Sequence, residues 1–421
     1  MPECGKVVYS QVMKRGTDHT GRSERLLPVV VSPVFINGMS VLRAFRRRGA
    51  RCVAVSSRRE VAGFWTRAAS EKVLLSDMEA EPGVFTQWLL SRPDLAGAMI
   101  IPTGDEIVAE LDENRALLEG RFRLLIPGSR ACRVALDKLK LARAAEAAGV
   151  AGPVTVEVAG DGPVTMPANL AFPVMVKPRY CIEFSRVFAR KVAVIADDSE
   201  LDATLSRCRE LGIRVVLQEL LGDAAPVAAY SGYVRRSGEI AGDFATLRRG
   251  MLPPGLGTGF LEVVAPVPGV IEQGRALLAH LDYRGALVNM DFKLDLRDGV
   301  WKLLDLNARS WRQVSLAAVA GVDVLDHMIR DYMDMPPLSN GRARYGTSWF
   351  YLKDALLAGR AYPSEAPRMA DYLRVFMNRR SMALFHHADL RPFLYDLRPL
   401  FQRRLSKLAW KTKIEQSPID Q

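Results

Sequence analysis

Along the 421 residues, side chains whose type and spacing could do chemistry concentrate between Gly285 and Arg309. Val288, Met290, Phe292, Leu294 and Leu296 alternate with Asn289, Asp291, Lys293 and Asp295, the period of a strand with one apolar face. Arg297-Asp298-Gly299 is a turn signal, and Val300 to Arg309 reads as the returning strand. A three-residue loop would set Leu296 opposite Val300, Asp291 opposite Asp305 and Asn289 opposite Asn307. Asp305, Asn307 and Arg309 then share one face, with Leu304, Leu306 and Ala308 turned to the core. Directly opposed residues hold their Cβ atoms ~4.5–5.5 Å apart, where two like charges destabilise a sheet. A divalent cation between the aspartates would remove that conflict. Two carboxylates and an amide oxygen (Asp291, Asp305, Asn307) are hard ligands, suited to a magnesium ion that also draws on substrate phosphates. Arg309 beside them could grip a phosphoryl or carboxylate oxygen in a bidentate contact. Spacing alone leaves a second reading open, a solvated hairpin with a polar outer face.

The elements that would position this hairpin alternate along the chain. Residues 1–26 are polar and without periodicity, and are expected to be a disordered leader. From Leu27 a β-branched run, a helix over Ser40 to Arg48 with Val41, Leu42 and Phe45 on its apolar face, and a second run at Cys52 to Val55 make a βαβ start. Alternation continues through a strand at Ala98 to Pro102, a helix at Asp105 to Leu118 and a strand at Leu124 to Pro127. That order predicts a doubly wound parallel sheet over residues 27–128. No G-x-G-x-x-G follows the first strand, which argues against a dinucleotide site. Asp137 to Gly149 reads as a helix, Phe172 to Lys177 and Arg214 to Leu221 as strands, and Pro253 to Gly259 as a flexible glycine-rich loop.

Leu304-Asp305-Leu306-Asn307-Ala308-Arg309, preceded by the acidic strand, resembles the metal-binding signature of the ATP-grasp superfamily. Three further segments match in the family's order. Asp137-Lys138 is similar to the start of the helix bearing the first ATP-contacting lysine, and Phe172 to Pro178 resembles the strand whose Lys177 meets the α- and β-phosphates. Val215 to Leu221 resembles the hinge that binds adenine through Gln218, Glu219 and Leu221. The match covers about Leu27 to Met335. It implies an α/β architecture: an N-terminal doubly wound pre-ATP-grasp domain (27–128), an ATP-grasp domain (129–335, its lid about 150–220) and a basic, mostly helical C-terminal region (336–421). The resemblance further implies an ATP-dependent ligase that activates a small carboxylate as an acylphosphate and joins it to an amine. Mg²⁺ would sit on Asp291, Asp305 and Asn307, with Lys138 and Lys177 on the triphosphate, and Arg309 and Arg249 at the transferring group. Two departures are visible. The segment after Lys177 has no glycine between Gly162 and Gly212, where relatives close a glycine-rich loop, and Asp305 replaces the usual glutamate. A nucleotide-binding regulatory module without turnover, and a carboxylase or carbamoyl-phosphate-like phosphoryl transfer, are the alternatives.

Composition narrows the partners. The chain is 49% hydrophobic and 25% charged with five cysteines and a net charge of +11, and no C-x-x-C occurs. Scattered cysteines suit a reducing cytoplasm rather than a disulfide frame or zinc site. Of the net charge, +8 lies in residues 336–421, with 15 Lys and Arg against 7 Asp and Glu. The body is therefore close to neutral, and a nucleic-acid partner is not expected. No apolar run reaches the ~18 residues of a membrane span. Asp396 to Trp410 places Leu397, Phe401, Leu405 and Leu408 at helical spacing with basic residues elsewhere. Such a helix either packs on its own domain or makes peripheral membrane contact. The expected partners are thus a small carboxylate and an amine, and a homodimer is left open.

Overall fold

A computed structural model describes residues 27–79, 81–158, 166–180, 192–222, 225–339, 341–364 and 366–402. The expected leader, residues 181–191 of the glycine-free stretch and the end of the basic tail lie outside the described residues. The first sheet is parallel throughout, in the order β3-β2-β1-β4-β5. Its strands are β1 (Val29–Ser32), β2 (Cys52–Ser56), β3 (Glu71–Leu74), β4 (Met99–Pro102) and β5 (Arg123–Leu124). Helices cover both faces, so β1, β2 and β4 are buried along their whole length. That burial is why they read as continuous apolar runs.

A second, antiparallel sheet runs β6-β9-β7-β8. It consists of β6 (Thr155–Glu157), β7 (Val174–Pro178), β8 (Ala193–Ile195) and β9 (Val215–Glu219). The helix Asp198–Glu210 lays Leu201, Leu205 and Cys208 on one face of it, against Val174, Val176, Val215 and Leu217. This small sheet carries Lys177, Gln218 and Glu219.

The third sheet is the frame of the molecule, in the order β14-β13-β10-β11-β12-β15-β16. Its strands are β10 (Val227–Val234), β11 (Ile240–Leu252), β12 (Thr258–Val264), β13 (Ala286–Asp295), β14 (Val300–Asn307), β15 (Ser348–Phe350) and β16 (Arg380–Met382). Two features differ from the sequence expectation. The segment Pro253 to Gly259 is the tight connection of the β11–β12 hairpin. A Cβ on Gly257 would stand 2.1 Å from the Leu252 carbonyl group, so only glycine fits that turn. The C-terminal region, besides its helices Leu352–Ala361, Met369–Met377 and Arg391–Gln402, also supplies β15 and β16, which extend the central sheet beyond β12.

The described part of the terminal helix (Arg391–Gln402) docks on its own chain. Leu397 is buried, Tyr395 stacks on Trp65 at 4.8 Å between ring centroids, and Asp396 accepts hydrogen bonds from Tyr351 and Lys353. That favours the packing role for this half. Arg403, Arg404, Leu405, Lys407 and Leu408 lie outside the described residues. Among those described, no helix is long and apolar enough to cross a membrane.

Cys52 and Cys132 are fully buried, and burial pushes both thiols up to about 12. At pH 8 only about one part in ten thousand would be thiolate, the reactive form. Both should therefore resist iodoacetamide in the native protein and label once urea unfolds it, as read by peptide mass spectrometry. Rapid native labelling of either would contradict the burial.

Candidate active site

The hairpin β13–β14 brings Asp291 opposite Asp305 and Asn289 opposite Asn307, as the alternation predicts, by a different route. The loop holds four residues rather than three, since Asp295 rather than Leu296 faces Val300. Leu304 is then the extra residue of a β-bulge, which restores the register beyond it. The consequences are local. Leu303, not Leu304, enters the core, and Leu296 is 64% exposed. Gly299 closes the turn at φ 71°, a left-handed conformation that glycine adopts without strain.

Each aspartate of the facing pair has its own cation. Lys138 Nζ donates to Asp305 Oδ1. Arg248 Nη2 donates to Asp291 Oδ1 at 2.5 Å. Protein side chains thus already meet part of the like-charge conflict that a divalent cation would remove. Lys138 is itself buried, at the first position of the helix Lys138–Ala147. A cation there opposes the helix dipole. Asp137, the N-cap, offsets that by accepting from the backbone N–H groups of Leu139 and Lys140 and pairing with Arg179 at 2.9 Å.

Behind Arg248 stands a second buried carboxylate. Arg248 Nε donates to Glu262 Oε1 at 3.1 Å, and Thr246 and Gln313 donate to the same group at 2.9 and 2.8 Å. Burial raises the Glu262 carboxyl above its ordinary range despite these donors. Burial opposes the Arg248 charge too, yet Asp291 and Glu262 together hold that guanidinium above its usual value.

The other expected residues occupy the same band of the molecule, with one exception. Lys177 donates to Gln218 Oε1 at 2.5 Å, and the Lys138 N–H bonds the Arg179 carbonyl at 3.0 Å, two residues beyond Lys177. These contacts tie the lysine strand to the aspartate pair. Glu219 is buried, accepts from the Val154 N–H at 3.2 Å and pairs with Arg297 and Lys302 of the hairpin. Leu221 is buried just beyond it. Asn307 Nδ2 donates to Asn289 Oδ1 at 3.2 Å. Arg309 reaches the N-terminal domain, where Nε and Nη2 grip both oxygens of Asp105 at 2.7 and 3.2 Å. Arg249 is the exception. It is the extra residue of a bulge between Arg248 and Gly250 and lines a cavity on the other face of the sheet, away from Asp291. Arg248 was the arginine to place at the aspartates, and the bulge that exchanges the two has no signature in the residue pattern.

Among the described residues no three His, Cys, Asp or Glu side chains cluster as a metal site. The donor set that does converge is the two facing aspartates with the Asn289–Asn307 amides. These are all oxygen-bearing groups, and the aspartate side chains keep 22% and 32% of their surface exposed. Hard oxygen donors at a partly open position fit Mg²⁺ in type.

Comparison with known proteins bears on the fold. No family model matches the chain. D-aspartate ligase of Enterococcus faecium is 23% identical over 253 residues, covering 56% of this chain and 59% of that protein. The chain therefore spans about three fifths of that curated relative. Among solved structures, N5-carboxyaminoimidazole synthetase from Staphylococcus aureus, complexed with ADP, superposes with a TM-score of 0.58 at 13% identity, over 75% of this chain and 80% of that one. L-amino acid ligase from Bacillus licheniformis gives 0.55 at 14%, over 75% and 76%. The fold is that of the ATP-grasp superfamily. Its three parts here are the parallel N-terminal sheet, the small antiparallel sheet and the large sheet that carries the aspartates.

Arg248→Ala removes the cation shared by Asp291 and Glu262, leaving a buried carboxylate unpaired. It should cost about 3 kcal/mol of stability, measured by urea denaturation. Adding Glu262→Gln to that variant should recover roughly half. No recovery would mean that Arg248 acts by packing rather than by charge.

Proposed function

We propose that the protein is an ATP-dependent ligase that activates a carboxylate and joins it to an amine. The observation that carries this reading is the Asp291–Asp305 pair on an ATP-grasp frame, with Lys138 and Lys177 tied to it from two other elements. The relatives add support at the level of class. Two of the proteins it resembles are named as ligases, and a third was crystallised with ADP.

The end of β9 would hold adenine, through backbone groups beside Gln218, Glu219 and Leu221. Lys138 and Lys177 would face triphosphate oxygens as compact point charges. For that, Lys138 exchanges Asp305 for a phosphate. Asp291, Asp305 and Asn307 would hold Mg²⁺, which when bound neutralises charge on the transferring phosphoryl group. Arg309 would orient the acceptor carboxylate, and Asp105 holds its guanidinium in place until then. A carboxylate oxygen then attacks the γ-phosphorus and ADP leaves, giving an acylphosphate. The amine nitrogen attacks the acyl carbon, phosphate departs, and the surplus proton passes to water. The work is positioning and charge neutralisation, and no side-chain nucleophile takes part. D-aspartate, named in the curated relative, belongs among the first amines tried.

The test is phosphate release from MgATP by the purified chain with pools of amino acids and small carboxylic acids. At least one pool should give turnover, with hydroxylamine trapping the activated acid. Asp305→Ala and Lys177→Ala should each lower the rate about 10²–10³-fold. Release no higher than in Asp305→Ala with every pool would overturn the ligase reading in favour of nucleotide binding without turnover.

A further inference from the structure

The back of the large sheet carries a second pocket. Successive residues of one strand point to opposite faces, so the strands that send Glu262 and Trp349 toward the aspartates turn Leu261, Val263 and Ser348 the other way. There the helix Met369–Met377 borders an open pocket of about 260 Å³. Leu261, Val263 and Val375 form an apolar floor, while Arg249, Asp371, Arg374 and Asn378 supply the polar wall.

The charges in this wall do not balance. Asp371 accepts from the Arg368 N–H at 3.1 Å and pairs with Arg374 at 3.7 Å. Its charge is therefore already committed. Arg249, pushed out of the ladder by its bulge, has no hydrogen bond or ion pair with any described residue. Ser348 is 1% exposed and its hydroxyl has no partner among the described residues. A buried hydroxyl left unpaired costs roughly 1–3 kcal/mol, a cost that a bound acceptor or donor would remove. One uncommitted guanidinium, one unpartnered hydroxyl and an aliphatic floor together describe a complement to a molecule with one anionic end and a short hydrocarbon body.

We propose that this cavity is a binding site for a small carboxylate with an aliphatic body, such as a branched-chain amino acid or short-chain acid, distinct from the aspartate site. Arg249 takes the carboxylate, with the planar fork that suits two oxygens. Leu261, Val263 and Val375 cover the hydrocarbon. The volume sets the size. At about 260 Å³ it falls just below the range of drug-sized pockets and suits a small molecule. The two sites share strands, since Arg248 faces the aspartates and Arg249, the next residue, faces the cavity.

Isothermal titration of the full chain with L-valine, L-leucine, isovalerate and inorganic phosphate tests this. At least one of the three carboxylates should bind saturably at one site. Arg249→Ala and Arg374→Ala should weaken it tenfold or more, while Asp305→Ala leaves it unchanged. Arg249 is exposed, so its alanine variant keeps the fold, which circular dichroism verifies. Three results would overturn the proposal: no saturable binding of any carboxylate, binding lost in Asp305→Ala but kept in Arg249→Ala, or phosphate binding as tightly as the carboxylates. None of these bears on turnover at the other face.

Discussion

Two carboxylates meet across a β-hairpin, and the rest of the structure is arranged around making that meeting tolerable. Placed directly opposite one another, Asp291 and Asp305 would push the strands apart. Each is held by a cation from a separate part of the fold, Lys138 from a helix start and Arg248 from β11. Arg248 is placed in turn by Glu262, which also accepts from the neutral amide of Gln313, while Asp137 caps the helix that carries Lys138 and pairs with Arg179. The pair is therefore the centre of a network in which sign alternates outward. Removing one member leaves a neighbour buried and unpaired, which costs more than the pair contributes.

The network also explains why the site lies where three sheets converge. Arg309 leaves the large sheet to grip Asp105 at the start of an N-terminal helix. Nearby, the Asn37 amide donates to the carbonyls of both Thr103 and Ser310, tying the two regions through one side chain. On the other side Glu219 meets Arg297 and Lys302, so the small sheet is fastened to the hairpin tip. The N-terminal domain and the large sheet are joined by more than these polar links, since Val31, Met39 and Phe45 share one buried apolar cluster with Phe244, Phe260, Leu325 and Trp349.

How much of this was legible in the residues depends on the kind of signal. The alternation of Val288 to Leu296 gave the strand, and the facing of Asp291 with Asp305 survived because a longer loop and a bulge at Leu304 cancel. Neither irregularity has a residue signature, so the match there owes something to compensation. The parallel N-terminal sheet was readable because its strands are apolar throughout. Strand β10 was not, since Val227–Val234 is buried on both faces and built of alanine, serine and glycine as much as of β-branched residues. Its neighbour β11 hides its nature in the opposite way, with charged side chains on both faces and a bulge at Arg249. Long-range pairings such as Arg309 with Asp105 join residues 204 positions apart, and local pattern carries none of that. Strands β15 and β16, three residues each, are too short for alternation to register.

Those last two strands bear on how the molecule is made. During synthesis β12 would leave the ribosome some eighty residues ahead of β15, and at ordinary elongation rates that is several seconds. For that interval the outer edge of the large sheet would present bare N–H and C=O groups, the kind of surface on which nascent chains stick to one another. The bulges and charged residues of the β11–β12 hairpin would then have a second use, in keeping that edge irregular until its own C-terminal strand arrives.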